Sequence, residues 1–145
     1  MKLLLTIGAG ILLSINTARA QDSLATVRLR RQAFEMSQAL LDQDYKTFVV
    51  YTYPKVVKMM GGTEKMLQVL RNGKVEMEQK GMRFDSVALE EPGPLLRSGT
   101  AYQSLIIEHL IIKVPGGKLY STSTLIAFSP DAGKTWTFLD VSNKE

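Results

Sequence analysis

From Asp22 to Asp42 the apolar residues recur at helical spacing. On a wheel of 100° per residue, Leu29, Ala33, Met36 and Leu40 share one line, and Val27, Phe34 and Leu41 form a second line further round. The apolar arc is wide, so this helix is expected to be covered on more than one side. Asp22 or Ser23 is placed to cap its first turn by accepting a hydrogen bond from an unpaired amide. Asp44 to Met60 reads as a short second helix broken at Tyr53-Pro54, because a residue before proline is biased away from helical dihedrals. Gly61-Gly62-Thr63 then starts a third helix that runs to about Lys80, with Met66, Leu70, Gly73 and Met77 in line. A mid-helix glycine such as Gly73 costs about 1 kcal/mol relative to alanine, which suggests a site where another backbone passes close. Gly81 supplies a left-handed stop.

Beyond Gly81 the period changes from 3.6 to 2 and β-branched and aromatic residues become frequent. Strands are expected over Met82 to Glu90, Thr100 to Val114, Lys118 to Phe128 and Thr135 to Val141, joined by a loop from Glu91 and by turns at Pro115-Gly116-Gly117 and Ser129 to Lys134. Three helical pieces before four strands with short connections predict an α+β domain: N-terminal helices packed on one face of a curved antiparallel sheet.

Composition adjusts the boundaries. Lys2, the apolar run Leu3 to Ile15 and Ala18-Arg19-Ala20 read as a secretory signal peptide over residues 1–20, with cleavage before Gln21, leaving a single domain over 21–145. The apolar run is shorter than the roughly 20 residues that span a bilayer, so export to the periplasm or medium without a membrane anchor is expected. The whole chain has 18 basic and 14 acidic residues. Without Lys2 and Arg19 the net charge falls from +4 to +2. A charge that small gives no argument for a nucleic-acid partner. There is no cysteine, hence no thiol for a disulfide, a thiolate zinc site or a lipid.

The most specific local motif is Ser129-Pro130-Asp131-Ala132-Gly133-Lys134-Thr135-Trp136. It resembles the Asp-box hairpin in the propellers of sialidases and related glycosidases. Asp131 is suited to accept hydrogen bonds from turn amides, Gly133 to take positive φ, and Trp136 to anchor the returning strand. A propeller needs several blades of roughly 40–50 residues, so the resemblance implies a turn and no glycosidase activity.

The order of elements, the Asp42-Gln43-Asp44-Tyr45 exit from the first helix and the closing Trp136-Thr137-Phe138-Leu139-Asp140 strand resemble the nuclear-transport-factor-2-like superfamily of cystatin-like α+β cones. The resemblance implies a strongly curved sheet that wraps the helices, with a pocket at the wide end. Members include ketosteroid isomerases, dehydratases, polyketide cyclases and many non-enzymatic binders and dimers, so the fold alone does not choose a function.

Strand registers estimated from the turns pair Pro115 with Lys118 and Phe128 with Trp136, which aligns His109, Thr124 and Asp140 in one row. That row would share the concave face with Ile107, Ile111, Ile126, Phe128, Trp136 and Phe138. His109 is read first as a hydrogen-bonded wall residue. As a weaker candidate, it and Asp140 would be the catalytic acid and base of an isomerase- or dehydratase-type enzyme. Arg30 falls inside the apolar arc and must snorkel out or meet an anion. Ser37 shares its direction, and Tyr51 and Tyr53 flank the proline break. Arg30, Ser37, Tyr51, Tyr53, His109, Thr124, Trp136 and Asp140 are therefore the expected ligand-pocket residues. Met59, Met60, Met66, Met77 and Met82 invite comparison with copper(I) sites, but they lack a ligand repeat and read as core fillers. No metal and no cofactor are expected. The sequence thus points to an exported domain that binds a small apolar ligand or another protein, with homodimerisation through an outer sheet face carrying Leu110, Ile112, Leu125, Ala127 and Leu139.

Overall fold

The structure is a computed structural model that describes residues 8–142, with side chains from residue 19 onward. The first seven residues of the expected leader lie outside the described residues. Helix α1 (Gly8–Leu41) is followed by α2 (Tyr45–Tyr51), α3 (Pro54–Met59) and α4 (Thr63–Gln79), then by strands β1 (Arg83–Leu89), β2 (Leu96–Ser98), β3 (Ala101–Val114), β4 (Gly117–Ser129) and β5 (Thr137–Asp140). The chain is an α+β domain with its helices first and its antiparallel sheet second, as the change of period predicts. Among the described residues no helix is long and apolar enough to cross a membrane.

Helix α1 begins well before Asp22, so neither Asp22 nor Ser23 caps it. Asp22 is instead drawn to Arg97, at 2.5 Å. Ala25, Leu29, Ala33 and Met36, spaced three and four apart, are buried and form the stripe that packs on the sheet. Two of the three residues of the second apolar line are not covered: Val27 is 61% exposed and Phe34 49% exposed. Helix α1 is therefore buried on one side only, and the wide arc overestimated its partners. The proline break falls as expected, with Pro54 at the first turn of α3 and Tyr53 extended before it. This extended step places Thr52 beside β5, where the Tyr53 amide donates to the Phe138 carbonyl at 2.9 Å. Gly81 ends α4 with φ of +69°.

The sheet order is β1-β3-β4-β5, and the short β2, absent from the expected four strands, also pairs with β3. The β3–β4 turn has Pro115-Gly116 at its tip, so Val114 pairs with Gly117 and His109 with Thr122. The expected register was two residues off, which preserves faces but displaces rows. The Asp-box turn pairs Phe128 with Thr137 and Leu125 with Asp140. There the expected register was one residue off, and a one-residue slip exchanges the faces of a strand.

The inner face follows from these registers. Tyr102, Ile106, Leu125, Ala127, Trp136 and Phe138 are buried against the α1 stripe. Leu125 and Ala127, expected on the outer face, are core residues. Ile107, Ile111, Ile126 and Phe128, expected inside, lie on the opposite face, where Tyr53 stacks on Phe128 with ring centroids 4.3 Å apart. A second core cluster, Tyr45, Val49, Met66 and Leu67, joins α2 to α4. Met66 fills a core as expected, whereas Met59 is exposed.

Candidate functional site

The strand registers disperse the residues expected to line one pocket. Asp140 pairs with Leu125 on the inner side, whereas His109 pairs with Thr122 and Thr124 with Ile107 on the outer side. The row His109–Thr124–Asp140 does not exist, and His109 and Asp140 project from opposite faces. Arg30 leaves the apolar surface and pairs with Glu91, the snorkelling outcome. Tyr51 donates its hydroxyl to Glu35, a bond that raises the phenol pKa together with partial burial. Trp136 belongs to the core, and its indole N–H donates to the Gly133 carbonyl at 3.2 Å.

His109 has its own setting on the outer face. Its Nε2 lies 2.7 Å from Glu90 Oε1 and its Nδ1 lies 3.0 Å from Thr122 Oγ1. The three side chains come from the residue just after β1 and from β3 and β4, and so link three neighbouring strands. They are solvent-exposed.

Ser37 meets a residue that sequence reasoning missed. Glu108 lies on the inner face between Ile106 and Leu110, is only 8% exposed, and accepts a hydrogen bond from Ser37 Oγ at 3.2 Å. Burial raises its pKa, the Ser37 hydroxyl opposes that rise, and the negative charge of Asp140 adds to it. Even-numbered β3 positions carried the signal, since Tyr102, Ser104, Ile106 and Glu108 are buried and alternate with less buried neighbours. Assigning the wrong face to the core hid it.

The Asp-box hairpin is built as its residues demand. Asp131 Oδ1 accepts from the Lys134 and Thr135 amides at 3.1 and 2.9 Å, and Oδ2 accepts from the Thr135 hydroxyl at 2.7 Å. Partial burial works to raise the Asp131 pKa, but these bonds and one from Ser129 outweigh it and hold the carboxyl below its ordinary value. Gln32 of α1 clamps the same hairpin: its Oε1 accepts from the Trp136 amide at 2.8 Å and its Nε2 donates to the Lys134 carbonyl at 2.9 Å. Gly133, at φ +78°, sits so close to Ala25 that an added Cβ would lie 2.3 Å from the alanine methyl. The turn therefore sets strand register and also seats α1 on the sheet.

An apolar cavity of ligand size lies elsewhere. A cleft of about 690 Å³ opens between the end of α1, α4 and the start of β1. Leu40, Leu41, Tyr45, Leu70, Met77, Met82 and Phe84 give it an apolar wall, and Lys74, Glu76, Glu78, Lys80 and Arg83 stand around it. Lys74 is engaged by Glu78 at 3.0 Å. Lys80 and Arg83 make no ion pair among the described residues. Gly73 lines this cleft, and a Cβ built on it would meet nothing within 4 Å. No backbone passes close, contrary to the expectation from the helix pattern; the missing side chain enlarges the cleft. A wider, shallower groove of about 930 Å³ lies between α2, α3 and the start of α4. None of the residues expected to line a pocket lines either cavity.

Comparisons with protein-family models, with curated proteins and with solved structures find no match to this chain.

Proposed function

We propose that the chain is an exported, non-catalytic binding domain of nuclear-transport-factor-2-like type, and that its ligand is a small apolar molecule held in the cleft between α1, α4 and β1. Gly73 carries this reading. A glycine inside an exposed helix costs about 1 kcal/mol against alanine, and here neither positive φ nor close packing requires it. The space it leaves belongs to a concave apolar surface of about 690 Å³, within the range of about 300–1,000 Å³ usual for small-molecule sites. Of the rim charges without an ion pair among the described residues, Lys80 and Arg83 outnumber Glu76, which favours an anionic end on the ligand. The isomerase- or dehydratase-type alternative loses its basis with the His109–Asp140 row.

Two probes test the site: 8-anilino-1-naphthalenesulfonate, which is apolar with an anionic group, and uncharged N-phenyl-1-naphthylamine. Both should bind saturably at one site, the sulfonate more tightly at low salt. Gly73→Leu should weaken both at least tenfold while leaving the melting temperature equal or higher. Equal binding by wild type and Gly73→Leu contradicts the assignment. Export rests on Lys2, the apolar run and Ala18-Arg19-Ala20. The intact mass of the exported chain should correspond to a start at Gln21; a mass retaining residues 1–20 rejects the leader.

A further inference from the structure

One edge of the sheet is open over most of a long strand. Strand β4 pairs with β3 along its whole length from Gly117 to Ser129, but β5 covers it only from Leu125 to Phe128, extended by one bond from the Val141 amide to the Thr124 carbonyl at 2.9 Å. Residues Gly117–Ser123 have no strand on that side among the described residues. Because the Thr124 carbonyl points to the β5 side, and backbone direction alternates along a strand, the N–H and C=O groups of Lys118, Tyr120 and Thr122 all point out of the open edge. The segment Gly-Lys-Leu-Tyr-Ser-Thr-Ser has one charge, no proline and no bulge. Edges are ordinarily blunted by such devices. Tyr120 is 77% exposed on one face of this edge and Leu119 is 49% exposed on the other.

We propose that the Gly117–Ser123 edge is a self-association surface, pairing antiparallel with the same segment of a second copy about a two-fold axis at Tyr120. Tyr120 is the midpoint of the open segment, so this register uses every free backbone group: Lys118 faces Thr122 of the second copy, Leu119 faces Ser121, and the two Tyr120 residues face each other. The register also keeps like charges apart. Lys118, already held by Asp85 at 3.1 Å, meets a neutral threonine. The two lysines stand four residues apart, or roughly 14 Å at about 3.4 Å per residue, beyond a Debye length of about 8 Å. Two tyrosines able to bury about 150–250 Å² each, two Leu119 side chains and two backbone strips approach the roughly 1,000 Å² that a specific interface must clear. The homodimer expected from the sequence thereby moves from the outer face to an edge, independently of what fills the cleft.

The register makes position 122 decisive, because it faces Lys118 of the other copy. Sedimentation velocity on the full chain from about 1 to 500 µM should show a reversible dimer. Thr122→Lys should weaken it at least tenfold by opposing two cations, and Thr122→Glu should tighten it several-fold by opposing unlike charges. A wild-type chain that stays monomeric throughout, or two variants that shift association in the same direction, overturns the proposal. Edge capture by the chain's own last three residues, or by another protein, would give the monomeric result.

Discussion

Glu108 gives the most direct test at the scale of a single residue, because its environment and its chemistry disagree. Burial raises its pKa above the ordinary carboxyl value, so the native chain binds this proton more tightly than the unfolded chain does. The associated stability is fully present below the unfolded value of about 4.3 and is lost as pH rises through the raised native value. A Glu108→Gln variant keeps an acceptor for Ser37 but has no proton to lose. Its melting temperature should match wild type near pH 4 and exceed it near pH 8, with the gap opening between those limits. A gap independent of pH would show that the carboxyl does not titrate in the way its burial requires.

Among the elements, the Asp-box hairpin and helix α1 depend on each other. Gln32→Ala leaves the buried Trp136 amide without its acceptor and removes the bond to the Lys134 carbonyl. An unsatisfied buried group costs about 1–3 kcal/mol, so thermal unfolding should fall by several degrees; a change within one degree would mean that the clamp contributes nothing. The same hairpin marks the limit of what the sequence discloses. Periodicity located the helices, because one buried stripe at 3.6 spacing suffices for that, and proline and glycine marked their ends. Alternation located the long strands equally well. It could not say which side of them is buried, since β3 and β4 carry large apolar residues on both faces. Only the turn settles that, and the hairpin between Ser129 and Trp136 holds one residue more than the simple register allows. That step put Asp140 on the opposite face from His109 and hid Glu108, while the two-residue shift at the Pro115-Gly116 turn separated His109 from Thr124. Strand β2 was hidden in a loop rich in proline and charge, and Gly73 was read through the commoner cause of a helical glycine, close packing.

For the molecule as a whole, the helices protect one face of the sheet, and α1 and α4 part near the start of β1 to leave an apolar cleft. A filled core under α1 and an open cleft beside α4 divide the domain into a part that holds the fold and a part free to receive a ligand. In the proposed account the α+β architecture supplies the scaffold, and the site lies where α4 lacks a side chain. The most direct test is an amide-detected NMR titration of the isotope-labelled chain with 8-anilino-1-naphthalenesulfonate. Saturable shifts should concentrate on Leu40 to Tyr45, Leu70 to Met77 and Met82 to Phe84, and disappear in Gly73→Leu. Shifts confined to the outer sheet face around Ile107 and Phe128, or none at millimolar probe, would contradict the account.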